Sequence, residues 1–134
     1  MAITAADTVL IGFTLPSTPC SVKIARLYIR AALTYHQLGD YTEVAETVAS
    51  ELVTNAIEHA EALTFSVELT QQVNSGAVAV VVSDASRCPP VRCLPSEASE
   101  HGRGLNIVDA LSAHWGWRPR AAGKAVYAIL AREA

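Results

Sequence analysis

The sequence predicts an α/β (α+β) two-layer sandwich, with about three helices packed on one face of a mixed, mostly antiparallel sheet of about five strands. Two patterns carry that expectation. Apolar residues recur at helical spacing in some segments, and short β-branched runs closed by turn residues lie before, between and after them. A third observation bounds the size: 134 residues, of which 51% are hydrophobic and 17% charged, suit one domain with one core, spanning residues 1–134. Helices gathered on one side of such a sheet bury both apolar faces at once.

Thr8 to Leu15 is apolar and β-branched and reads as the first strand. Thr18-Pro19 then has the form of an N-cap followed by proline at the first helical position. Val22, Ala25, Ile29, Ala32 and Leu33 define the buried stripe of a first helix, which Gly39 is expected to end. Asp40 and Glu43 have capping-box spacing ahead of a second helix, whose stripe is Val44, Ala45, Val48, Leu52 and Ala56 and which should run to about Ala60. Leu63 to Val73 and Ala77 to Asp84 read as strands joined by a turn at Asn74-Ser75-Gly76. Arg87 to His101 holds three prolines and reads as a surface loop. Gly104 to Ala113 is expected to be the third helix. Trp115-Gly116-Trp117 and Lys124 to Ala131 form the closing hairpin, with Ala121-Ala122-Gly123 in its turn.

Composition excludes several functions. A net charge of −3 gives no broad nucleic-acid or membrane surface. The longest apolar run, Ala77 to Val82, is far short of a membrane span. No basic segment followed by an apolar stretch opens the chain, so no signal peptide is expected and the protein is placed in the cytoplasm. Three cysteines, Cys20, Cys88 and Cys93, argue against a disulfide framework, and the Cys88–Cys93 spacing is not that of a zinc site.

Three stretches carry candidate chemistry. In the second helix, Glu51, Asn55 and His59 are four apart and share one side, flanking the apolar stripe. A carboxylate and an amide one turn apart make a hard-oxygen site suited to Mg²⁺ and its waters, although a polar flank of an amphipathic helix looks the same. In Val80-Val81-Val82-Ser83-Asp84-Ala85-Ser86 a β-branched run ends in an aspartate. That carboxylate suits an exocyclic amine such as adenine's, and a turn-capping aspartate is the plain alternative. In His101-Gly102-Arg103-Gly104-Leu105 two glycines lead into a helix, where backbone N–H groups are available to phosphate; a flexible joint is the plain alternative.

Taken in order, a helix with Glu-x-x-x-Asn, a strand ending in Asp and a Gly-x-Gly opening a helix resemble the N, G1 and G2 boxes of the GHKL (Bergerat-fold, histidine-kinase-like) ATPases. The family includes gyrase-type topoisomerases, MutL and sensor histidine kinases. The resemblance runs from about Pro16 to the C-terminus. Glu51-Leu52-Val53-Thr54-Asn55-Ala56 and Gly102-Arg103-Gly104-Leu105 look most like the stand-alone anti-sigma regulatory serine kinases of bacteria.

The resemblance implies ATP and Mg²⁺. It makes Asn55 the metal ligand, Glu51 the general base and Asp84 the adenine-recognising carboxylate, with His59 near the phosphates. Ser86 belongs to the adenine-side box. Gly102, Arg103 and Gly104, followed by Leu105, become the phosphate-side turn beneath a lid formed by the intervening loop. It further implies a homodimer that phosphorylates a serine of an anti-anti-sigma (STAS-type) partner and sequesters a sigma factor. There are departures. Ser86 and Cys88 stand where the family's Asp-x-Gly-x-Gly has glycines, Glu100-His101 stands where kinase members often carry a basic residue, and Ala125 replaces a frequent hydroxyl. The departures at Ser86, Cys88 and Glu100 favour an alternative, a non-catalytic ATP-binding interaction module.

Overall fold

The structure, a computed structural model, describes residues 7–59, 62–86 and 100–131, with the backbone alone over 100–104. The strands are β1 (Thr8–Pro16), β2 (Thr64–Gln71), β3 (Val78–Asp84), β4 (Ser112–Arg120) and β5 (Gly123–Leu130), and the helices are α1 (Cys20–Tyr35), α2 (Thr42–Glu58) and α3 (Glu100–Leu111). The sheet runs β1-β2-β3-β5-β4. Each ladder among the described residues is antiparallel.

Register sorts the side chains. Val80 lies opposite Leu69 on one side and Ala128 on the other. Period-two alternation then puts Val78, Val80 and Val82 on the same face as Phe65, Val67, Leu69, Val126 and Ala128. These residues form one buried cluster with Ala25, Ile29 and Leu33 of α1, Ala45, Val48, Ala49, Leu52 and Val53 of α2, and Leu105 and Val108 of α3. Burying each large aliphatic chain contributes about 1.5–3 kcal/mol, which outweighs the weaker local propensities of the β-branched positions in α2. The opposite face presents Glu68, Thr70, Val81, Arg118 and Tyr127, which help to line a depression of ≈ 500 Å³.

Both helical stripes lie where periodicity puts them, and Ser21, fully buried, joins the first by donating to the Pro16 carbonyl at 2.7 Å. The helix ends differ from expectation. Thr18 supplies no side-chain cap to α1; its hydroxyl meets the Ser21 hydroxyl at 3.5 Å, while Pro19 already has helical dihedrals. Helix α1 closes at His36, before Gly39. Gln37 takes the left-handed conformation at φ 60°. The Leu38 N–H then reaches the Leu33 carbonyl and the Gln37 N–H reaches that of Thr34. This is a Schellman closure, with Leu38 returning as its apolar partner. The Asp40–Glu43 pair does not cap α2, because a short 3-10 turn over Gly39–Tyr41 intervenes and Tyr41 is the cap residue, without a side-chain cap bond. Helix α2 ends at Glu58, and Ala60 lies outside the described residues. Of the loop read over Arg87 to His101, residues 87–99 lie outside the description, with Cys88 and Cys93 among them, and the last two belong to α3.

Candidate functional site

Helix α2 is seated in the middle of the helical layer, packed on α1, α3 and β3. A charged clamp fixes it to α1. Glu46, largely buried, accepts from Arg30 Nη2 at 2.7 Å and Nε at 3.2 Å, with Arg26 Nε at 3.7 Å. Those hydrogen bonds and the carboxylate's charge raise the Arg30 pKa above its usual value. One turn beyond the clamp, Glu51 is half-buried and Asn55 is 7% exposed. Among the described residues no hydrogen bond engages the Asn55 carboxamide; its backbone carbonyl accepts the His59 N–H at 3.2 Å. A nearly buried amide is ordinarily hydrogen-bonded, so this one is suited to an external ligand. His59 is the exposed residue that closes α2.

Asp84 sits at the last position of β3, where the sheet stops and the chain turns. Its Oδ1 accepts the Ser86 N–H at 2.8 Å, which is the turn-capping role anticipated as its plain alternative. The same oxygen pairs with Lys124 Nζ at 3.1 Å, with the side chains 5% and 2% exposed. Lys124 is a site residue that the motifs did not single out. The one signal for it was its place, directly after Gly123 in a strand whose partner is β3. Asp84 and Lys124 are register partners on the face shared with Val82 and Val126, the face that α2 covers. Ser86 itself is 1% exposed. Gly123 makes the close approach possible: a Cβ there would lie 1.9 Å from the Asp84 carbonyl oxygen, and its φ is +152°.

Helix α3 starts at Glu100 rather than at Gly104. Gly102 and Arg103 therefore fall within the first four residues of the helix, whose N–H groups have no intrahelical acceptor, and Gly104 follows them. The turn expected there is a glycine-bearing helix start, which keeps the anion-binding logic of aligned N–H groups and dipole. Leu105, at 1% exposure, and Val108 anchor this helix in the core.

The packing of α2 on α3 and β3, and of β3 on β5, brings the elements carrying Glu51 and Asn55, Asp84 and Lys124, and Gly102 to Gly104 into one neighbourhood. Among the described residues no group of three or more His, Cys, Asp or Glu side chains is placed to hold a metal. A Mg²⁺ that draws most ligands from phosphate and water needs only one or two protein oxygens, and the unengaged Asn55 amide fits that demand.

No curated protein matches the chain. The fold is similar to the crystal structure of the RsbU and RsbW domains of Rv1364c from Mycobacterium tuberculosis, at a TM-score of 0.62 and 21% identity. The match covers 92% of this chain and 33% of that one, so the chain spans about a third of that structure. No described helix is long and apolar enough to cross a membrane. The family model for the histidine kinase-like ATPase domain matches residues 15–130, from the end of β1 to the end of β5, and the chain belongs to that family.

Proposed function

We propose that the chain binds ATP with Mg²⁺ and acts as a bacterial, cytoplasmic anti-sigma regulatory serine kinase, phosphorylating a STAS-type anti-anti-sigma partner and sequestering a sigma factor. Family membership supports nucleotide binding. The observation that carries the rest is the pairing of Glu51 with the nearly buried, unengaged amide of Asn55 one turn later. Asn55 would hold Mg²⁺, which neutralises charge on the phosphates. Glu51 takes the proton from the partner's serine hydroxyl as its oxygen bonds to the γ-phosphorus, the bond to the bridging oxygen breaks, and ADP leaves. The N–H groups at the start of α3 would receive the phosphates, with His59 near them. The homodimer implied by the resemblance would use the sheet face that the helices leave uncovered.

A second reading is a non-catalytic ATP-binding module. Lys124 on Asp84, with Ser86 and Cys88 at glycine positions, favours it, because each alters the nucleotide side while leaving the fold intact.

Base preference tests the nucleotide assignment. Asp84 accepts from adenine's amine and meets guanine's carbonyl with repulsion, so ATP binds more tightly than GTP by about 1.5–3 kcal/mol, the typical worth of a hydrogen bond to a charged group. Competition calorimetry measures the difference, and equal affinities remove Asp84 from the site.

A further inference from the structure

We propose that Lys124 is a second base-reading residue, whose ammonium donates to ring N1 of adenine while Asp84 accepts from the exocyclic amine. The proposal rests on the nucleotide reading above and adds to it a residue of the last strand, Lys124.

A lysine at 2% exposure is uncommon, since long charged side chains are almost never fully buried unless paired. Its partner is Asp84, and among the described residues that is its one hydrogen bond. An ammonium has three N–H donors, so two remain for a ligand. The carboxylate is also half used. Oδ1 takes both Lys124 Nζ and the Ser86 N–H, and among the described residues no hydrogen bond reaches Oδ2. An open donor thus stands beside an open acceptor at the end of the sheet. Register places both on the face covered by α2, the helix that carries Asn55.

Adenine's edge has the complementary order, an N–H donor on the exocyclic amine next to the acceptor N1. Guanine has the reverse, a carbonyl next to an N–H, so with Asp84 on the position-6 substituent both of its contacts are repulsive. The plain alternative is that Lys124 only neutralises Asp84. In that case the lysine never touches the base, and removing N1 from the ligand changes nothing.

The test is calorimetry on the whole chain with Mg²⁺, using ATP and 1-deaza-ATP, in which C–H replaces N1. The wild type is expected to bind 1-deaza-ATP roughly tenfold or more weakly than ATP, the usual effect of losing a hydrogen bond to a charged group. In Lys124→Met the ratio falls to about one, as expected when the donor is absent. An Asp84→Asn, Lys124→Met double variant removes both charges, leaves no buried ion unpaired, and gives the same ratio if the single variant does not fold. Equal affinities for the two ligands in the wild type overturn the proposal, as does discrimination that survives the loss of Lys124. Failure of ATP itself to bind overturns the nucleotide reading, and this proposal with it.

Discussion

Replacing Glu51 by glutamine lowers single-turnover phosphate transfer to the partner's serine by about 10²–10⁴-fold, the usual worth of a general base. The substitution keeps length, volume and helix propensity, so α2 and the half-buried position survive it. It removes the carboxylate's charge and with it the ability to take a proton. Nucleotide affinity is expected to change little, because the proposed site assigns the metal to Asn55 and the phosphates to backbone N–H groups of α3. Labelled ATP, one partner and two proteins suffice for the measurement. A transfer rate that survives the change refutes the role given to Glu51. A wild type that binds both ATP and partner but transfers nothing supports the binding-module reading.

Gly123→Ala is expected to be the most damaging single change to stability. A Cβ at this position meets the Asp84 carbonyl at 1.9 Å and the Ala85 backbone at 2.6 Å, and backbone atoms on a paired strand do not move aside cheaply. The backbone conformation, at φ +152°, is itself one that side-chain-bearing residues rarely adopt. Strain of this kind costs about 1–3 kcal/mol before the collision is counted, so a loss of roughly 3 kcal/mol or more is expected. For a chain of this size that lowers Tm by roughly 10 °C. The strain falls on the β3–β5 ladder at Asp84 and Lys124, so the proposed base recognition is expected to weaken along with the fold. Thermal unfolding followed by circular dichroism reads the first effect, and an unchanged Tm contradicts the account of Gly123.

The sequence already disclosed the helices and most strand positions, because burial imposes a period of 3.6 on α1 and α2 and of two on much of β2, while β5, buried on both faces, shows as a continuous apolar run. Ala25, Ile29, Leu33, Val48, Leu52 and Ala56 are all in the core for that reason. Helix ends were less legible. Gly39 is the residue type that ends helices, yet Gln37 adopts the left-handed angle, since the apolar return of Leu38 onto Leu33 fixes where α1 must stop. The start of α3 was read late, because glycines suggest a turn while the packing of Leu105 and Val108 draws the helix back to Glu100.

The candidate site divides in the same way. Glu51, Asn55 and His59 lie on one local element, and their spacing alone put them on one side of α2. Lys124 was not legible as a partner of Asp84, because they are forty residues apart. Only the register of β3 with β5 makes them neighbours. Ser86 stood out as a departure from a glycine pattern. In the structure its backbone N–H closes the turn that holds Asp84.

The central claim is Mg²⁺-dependent ATP binding through Asn55, and calorimetric titration of ATP into wild type and Asn55→Ala, each with and without Mg²⁺, tests it most directly. Asn55 flanks the apolar stripe of α2 and its carboxamide is hydrogen-bonded to no described residue, so the variant is expected to fold with a wild-type circular dichroism spectrum. The wild type should bind ATP more tightly when Mg²⁺ is present, and Asn55→Ala should lose that gain while keeping the metal-independent remainder. Equal affinity of the two proteins for ATP in the presence of Mg²⁺ would contradict the account.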